Sequence, residues 1–254
     1  MAFEAGETLF LLGPDGKRFW FRLEFAMVKL GGLGSIDGSR FEGLDDGSSV
    51  EIAGRPFLVF RPTVTDLMTS LDRGAQVITP KDASVILLEC GIHAGSKVIE
   101  VGAGSGGLTT AMTYAVAPSG HVHTVELKEQ NAERVLKNLK RTGLDVYWSY
   151  QIGDARDADV QFDGADVVVT DMPDPENAID NLAKHLRPGG MFCTYVPNAN
   201  QLELSVNALR ERGYVNIRSL ETMRRGMEVH PGGVRPSFEM LGHTGYLTFA
   251  RKTA

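Results

Sequence analysis

Cysteine is scarce: the 254-residue chain carries two, Cys90 and Cys193. One falls in an expected helix and the other in an expected buried strand. Their spacing builds neither a disulfide framework nor a metal site, so both read as reduced core thiols. Long apolar runs are also missing. No stretch approaches the roughly 18 to 20 residues a membrane span needs, and the start, MAFEAGETLF, lacks the basic opening and apolar core of a signal peptide. A cytoplasmic protein with no membrane partner is expected. A basic surplus is absent too, since the net charge is −6, which argues against a surface coated for general nucleic-acid binding. His93, His121, His123, His185 and His230 show no ligand spacing, and no metal is expected.

The charge is nevertheless uneven. From Arg210 to Ala254 there are eight basic residues against four acidic ones, so a local patch that includes Arg224, Arg225 and Arg235 could face phosphates even on an acidic protein. Solvated side chains flanking edge strands explain the same residues.

Pattern divides the chain at residues 62 and 63. Before this point, ETLFLLGPDGKRFWFRL and VEIAGRPFLVFRP read as two hairpins, and the glycine-rich GGLGSIDGSRFEGLDDGSS between them reads as loop. A small β domain over 1–62 is expected. TVTDLMTSL and KDASVILLECGI look helical and frame the loop DRGAQVITPKD. From Lys97 strands alternate with amphipathic helices: KVIEV, HVHTVEL, VYWSYQIG, ADVVVTD and MFCTYVP are strands. The helices between them include QNAERVLKNLKR and ENAIDNLAKHL, the latter running to Pro188-Gly189-Gly190. This is the signature of a doubly wound α/β sheet over 63–254. YVNIRSLETM and TGYLTFARK follow, joined by a long loop without a helical stripe, so they are expected to be antiparallel neighbours at a sheet edge.

Within that alternation KVIEVGAGSGGLTT runs a buried strand into a glycine loop and then a helix. Gly102, Gly104, Gly106 and Gly107 let backbone approach a ligand where a Cβ would collide. Dinucleotides and S-adenosyl-L-methionine both fit this loop. The other strand ends decide between them, because ligands of such sheets sit beyond the carboxyl ends of the strands. Four acids lie there: Glu100, Glu126, Asp154 and Asp171. A nicotinamide enzyme needs the second of these and has no use for the series. S-adenosyl-L-methionine has no phosphate, but it offers a ribose diol, an adenine amine, a sulfonium and an ammonium group. Each acid also has a structural reading as a helix cap, and Glu100, beneath the loop, has the strongest one.

RGAQVITPKDAS, EVGAGSGGLT, VVVTDMPDP, TYVPNANQ and RPSFEMLGHTGYL together resemble segments of the tRNA 1-methyladenosine methyltransferases, which modify adenosine 58 of the T-loop; some archaeal members also act on adenosine 57. The resemblance spans nearly the whole chain. It implies a class I S-adenosylmethionine-dependent methyltransferase domain, a Rossmann-like doubly wound sheet, behind a small N-terminal β domain. It also implies a homotetramer with tRNA as partner and S-adenosyl-L-methionine as cofactor.

Carried over residue by residue, the resemblance implies that Ser105, Gly106, Gly107 and Leu108 hold the methionine end, Glu126 the ribose, and Asp154 with Ala155 the adenine. Gln76, Glu100, Gly102 and Gly104 complete the cofactor shell. Asp171 is the implied catalytic carboxylate, and Tyr195, Asn198, Gln201, Arg235, His243 and Thr244 the substrate side. Lys81 either touches substrate or opens a helix with Asp82. Two positions depart from the family: Thr79 and Glu176 stand where aromatic residues are usual, which leaves Tyr195 as a replacement wall for the base. A methyltransferase acting on a small molecule or protein, and a non-catalytic tRNA-binding subunit of the same fold, are the competing classes. Retention of both the glycine loop and Asp171 speaks against the latter.

Overall fold

The computed structural model describes residues 1–71 and 77–254. Six strands come first: β1 (Thr8–Leu12), β2 (Arg18–Arg22), β3 (Met27–Lys29), β4 (Ser35–Asp37), β5 (Ser49–Ile52) and β6 (Arg55–Phe60). Two helices follow, α1 (Val64–Thr69) and α2 (Pro80–Cys90). Then β7 (Lys97–Val101), α3 (Gly107–Val116), β8 (His121–Glu126), α4 (Glu129–Thr142), β9 (Trp148–Ile152), β10 (Ala165–Asp171), α5 (Ile179–Ala183), β11 (Leu186–Val196) and α6 (Ala199–Glu211) follow, alternating as the sequence pattern predicts except that no α-helix separates β9 from β10. The chain ends with β12 (Val215–Glu221), β13 (Met227–His230), β14 (Gly233–Pro236) and β15 (Tyr246–Arg251).

Both N-terminal hairpins form, and they join into one antiparallel sheet of order β2-β1-β6-β5. The intervening glycine-rich segment is more than the loop its composition suggests. It contributes β4, which pairs with β3, and it buries Ile36 and Phe41 in a cluster with Leu9, Leu11, Phe21 and Phe57. Apolar residues spaced among glycines were enough to fill this small core. The sheet docks on the rest of the chain through Trp20, packed against the larger core, and through Thr8 Oγ1 donating to the Arg141 carbonyl at 2.6 Å.

The main sheet has the order β12-β15-β11-β10-β7-β8-β9. Its ladders are parallel from β11 to β9, while β15 is antiparallel to both β11 and β12. Helices α2, α3 and α4 close one face, where Ile86, Met112 and Val135 pack on Val98, Val167 and Phe249. On the other face α5 and α6 bring Ile179, Leu182 and Leu209 against Ile99, Val168 and Phe192. The order reverses at β7, with β8 on one side and β10 on the other, and this switch point opens a crevice at the carboxyl ends of the strands.

Two expectations need correction. Helix α5 stops at Ala183 rather than running to Pro188, and Leu186 already pairs with Ala165 in the sheet. Lys252 Nζ donates to the carbonyls of Ala183 (2.6 Å) and Leu186 (2.7 Å), so this helix end is satisfied by the residue that follows β15, without a further turn. The loop between β12 and β15 carries a hairpin, β13–β14, nearly all of whose residues are exposed. No described helix is long and apolar enough to cross a membrane.

Candidate active site

The crevice at the switch point is a cleft of about 750 Å³, walled by the residues that follow β7, β8, β9 and β10, a size typical of small-molecule and cofactor sites. Gly102, Gly104, Glu126, Asp154, Ala155 and Asp171 all line it. Gly102 has φ +82, and a Cβ there would lie 2.2 Å from the Asp171 carbonyl oxygen. Glycine is thus required where the loop after β7 passes the end of β10.

Glu126 ends β8 and is 4% exposed. Its Oε2 accepts from the Ala103 N–H (2.8 Å), and Oε1 accepts from the Lys128 N–H (2.9 Å) and Asn131 Nδ2 (3.2 Å). These bonds hold the carboxylate still. With roughly four acceptor sites on a carboxylate, capacity is left for a hydroxyl in the cleft. Asp154, at the end of β9, takes a forked contact from Arg156: Nε to Oδ1 at 2.8 Å and Nη2 to Oδ2 at 2.6 Å. Those bonds hold its carboxyl below the usual range. Arg156 Nη1 reaches on to Asp174 Oδ2 at 2.9 Å, tying the loop after β9 to the loop after β10.

Asp171 differs from these. Its side chain makes no hydrogen bond among the described residues and is accessible through the cleft mouth. Protein surrounds it on the remaining sides, and that burial, with the charge of Glu126, pushes its carboxyl up to about 6. Tyr195 of β11 pairs with it in register.

Other candidates are not at the cleft. Glu100 is 1% exposed and points beneath the loop. It accepts from Thr124 Oγ1 (2.6 Å) and Thr109 Oγ1 (2.9 Å), and Trp148 Nε1 donates to Thr124 Oγ1 in turn. Burial pushes its carboxyl up to about 8. Its hydrogen bonds all lie inside the fold. Ser105, Gly106, Gly107 and Leu108 are buried and do not line the cleft either. The chain entering α2 covers them: a Cβ on Gly107 would lie 2.0 Å from Val77 Cγ1. Gln76 lies outside the described residues.

On the substrate side, Asn198 caps α6 and binds Gln201, whose Nε2 donates to the Pro173 carbonyl at 2.5 Å beside the cleft. Tyr195 Oη donates to the Thr244 carbonyl at 2.7 Å. His243 bridges Glu221 Oε1 (2.6 Å) and the Pro197 carbonyl (2.7 Å). Arg235 stands apart on the β13–β14 hairpin, paired with Glu228 and stacked over Phe238 at 4.4 Å. Arg224, Lys81, Thr79 and Leu241 border a separate small cavity of about 180 Å³. Of the departing positions, Thr79 is the N-cap residue of α2, and Glu176 is half-buried in the turn after β10. Arg156, Lys128, Asn131 and Asp174 also line the cleft, although no motif in the sequence singles them out. Their position two to five residues past a strand end is the available signal.

The family model described as the tRNA methyltransferase complex GCD14 subunit matches residues 57–234. The chain is 32% identical over 269 residues to the tRNA (adenine(57)-N(1)/adenine(58)-N(1))-methyltransferase TrmI of Methanocaldococcus jannaschii, a match covering 95% of this chain and 93% of that one. Among solved structures it is similar to an S-adenosylmethionine-dependent O-methyltransferase from Thermotoga maritima, with TM-score 0.84, 27% identity and coverage of 100% and 95%. It is also similar to the tRNA (m1A58) methyltransferase TrmI from Aquifex aeolicus, with TM-score 0.78, 25% identity and full coverage of both chains. The seven-stranded sheet is therefore the class I methyltransferase fold, and S-adenosyl-L-methionine is its cofactor. Sequence match, strand order and an acid-lined cleft agree, and the chain belongs to the GCD14 family of tRNA methyltransferases.

Proposed function

We propose that the protein transfers a methyl group to N1 of adenosine 58 in the T-loop of tRNA, with adenosine 57 as a second target. The observation that carries this reading is Asp171: a carboxylate free of internal hydrogen bonds, at the cleft mouth, in register with an aromatic ring.

The cleft suits the methyl donor. Its wall presents Glu126, Asp154 and Asp171 to a ligand with a ribose diol, an adenine amine and cationic groups. In the proposed arrangement Glu126 receives the ribose hydroxyls, Asp154 and Ala155 the adenine, and Gly102 and Gly104 the methionine end. S-adenosyl-L-methionine, when bound, supplies a methyl carbon on a sulfonium, open to in-line displacement by a ring nitrogen with the C–S electron pair leaving on sulfur. Glycines and carboxylates thus serve alignment first. Asp171 accepts a hydrogen bond from the exocyclic amine of the target base as positive charge spreads onto it, and can take that proton afterwards. Tyr195 walls the base where Thr79 and Glu176 lack rings.

The target edge of adenine is engaged in folded tRNA, so the base must be drawn out at a cost of about a few kcal/mol. Arg224, Arg225 and Arg235 are the proposed phosphate contacts that offset this. We assign residues 1–62 to a separate β domain, the assembly to a homotetramer and the location to the cytoplasm. Light scattering on the eluting protein checks the assembly.

A second reading, transfer to an oxygen acceptor, is favoured by the similarity to the Thermotoga maritima O-methyltransferase. One experiment separates the two. Purified protein is incubated with methyl-labelled cofactor and unmodified tRNA, and the digested nucleosides are mapped. Label in 1-methyladenosine at position 58 supports the proposal; no label in any tRNA refutes it.

A further inference from the structure

Asp82, the third residue of α2, is fully buried. An acid at this position commonly faces the open first turn of its own helix, and Thr79 Oγ1 does donate to its Oδ2 at 3.0 Å. Three more donors reach the same carboxylate. Lys81 Nζ donates to Oδ1 at 2.8 Å, Thr244 Oγ1 to Oδ2 at 2.9 Å, and Thr222 Oγ1 to Oδ1. Lys81 Nζ also donates to the Thr222 carbonyl (2.9 Å) and to Thr244 Oγ1 (2.6 Å). Burial raises the Asp82 carboxyl, but these bonds outweigh it and hold the group below the usual range.

Helix stability does not explain such a hub. A lysine in the first turn opposes the helix dipole, and a buried ion pair is seldom a net gain over packed apolar residues. What the hub does is join three distant segments: the start of α2, the chain after β12 and the chain before β15. Asp82 and Thr244 are 162 positions apart in sequence.

Thr244 hands the constraint to Tyr195. Its side chain is gripped by Lys81 and Asp82, while its carbonyl accepts the Tyr195 hydroxyl. The next residue, Gly245, lies flat against the ring, since a Cβ there would sit 2.5 Å from Tyr195 Cζ. Tyr195 is therefore held at its hydroxyl and on one face, and its β-ladder partner is Asp171.

We infer that Lys81 and Asp82 are positioning residues of the methyl-transfer site, fixing the Tyr195 ring beside Asp171 through Thr244. The inference rests on the adenine N1 reading of that site. Neither residue touches the base; both act through the tyrosine.

A mutant cycle tests this. Lys81→Met and Asp82→Asn are made together, so that no charge is left buried alone, and the pair is crossed with Tyr195→Phe. Each arm should lower kcat about tenfold at saturating tRNA and cofactor, and the combined variant should also stand at about tenfold, because both arms cut one linkage. Cofactor affinity should stay within about twofold throughout. Thr244→Ser, which keeps the hydroxyl, should recover most of the kcat that Thr244→Val loses. Losses that multiply to about a hundredfold, or no loss in the charge-pair arm, overturn the inference. If the pair variant fails to fold, Thr244→Val crossed with Tyr195→Phe makes the same measurement. Wild-type protein that leaves tRNA unmethylated refutes the reading of the site and this inference with it, whereas wild-type transfer with multiplicative losses refutes the inference alone.

Discussion

Gly102 and Asp171 touch backbone to backbone: the position of a Cβ on Gly102 falls 2.2 Å from the Asp171 carbonyl oxygen, with Gly102 at φ +82. One contact thus joins the cofactor loop to the strand end that carries the proposed catalytic acid. Gly102→Ala must shift one or the other. Left-handed strain costs about 1–2 kcal/mol, and relieving the overlap about 1–3 kcal/mol more. Cofactor affinity by calorimetry should fall about tenfold or more, with a melting temperature lower by several degrees. An alanine variant with unchanged affinity would show that the loop is not seated as described.

Asp171→Asn keeps the shape of the side chain but removes its charge. Turnover should fall by about a hundredfold or more, as expected for loss of a positioned proton acceptor, while cofactor binding stays within a few-fold. Single-turnover methylation beside calorimetry separates the two. Equal loss of binding and turnover would assign Asp171 to the cofactor instead.

The raised carboxyl of Asp171 also predicts a pH profile. Its charged form is the useful one, so kcat/KM should rise with pH through an apparent midpoint near 6. For stability the sign is opposite. The folded value lies above 3.8, so its contribution is complete below 3.8 and is lost as pH rises through about 6. Asp171→Asn should flatten both curves.

Glu100 gives a wider window without a catalytic effect. Its carboxyl is raised from 4.5 to about 8, so the stability it contributes is full below 4.5 and declines as pH rises through about 8. Glu100→Gln keeps a neutral group among Thr109 and Thr124. Its melting temperature should therefore fall less between about pH 5 and about pH 8.5 than that of the wild type, by several degrees. Parallel curves for the two proteins would mean that Glu100 is ionised in the folded state.

His243 lies between two acceptors, the Glu221 carboxylate and the Pro197 carbonyl, so it can donate to both only as the imidazolium. The hydrogen bond to Glu221 raises its pKa first, and that to the Pro197 carbonyl adds to it. The clamp is complete below 6.5 and is lost as pH rises through the folded value. An NMR titration of the ring should give a value above 6.5 that drops in Glu221→Gln. A value at or below 6.5 in the wild type would rule the clamp out.

The sequence by itself determined the order of the strands from Lys97 to β11 and the amphipathic stripe of α4, because period-2 runs and amphipathic stripes are local properties. It also placed Gly102, Gly104, Glu126, Asp154 and Asp171 on the cleft, since residues just past parallel strands share one end of the sheet. Strand-end position could not say which way a side chain turns. Glu100 turns down among threonines, and Asp154 pairs with Arg156 two residues along its own loop. Ser105 to Leu108 read as a ligand cradle, and no local pattern tells that Val77 packs on Gly107. The stretch between β12 and β15 read as loop because its hairpin buries almost nothing and so leaves little apolar alternation. Lys81 and Asp82 show most clearly what only the tertiary structure decided. Locally they open a helix; their burial and their link to Tyr195 come from threonines 140 and 162 positions away from Asp82, and no local periodicity encodes a contact of that range.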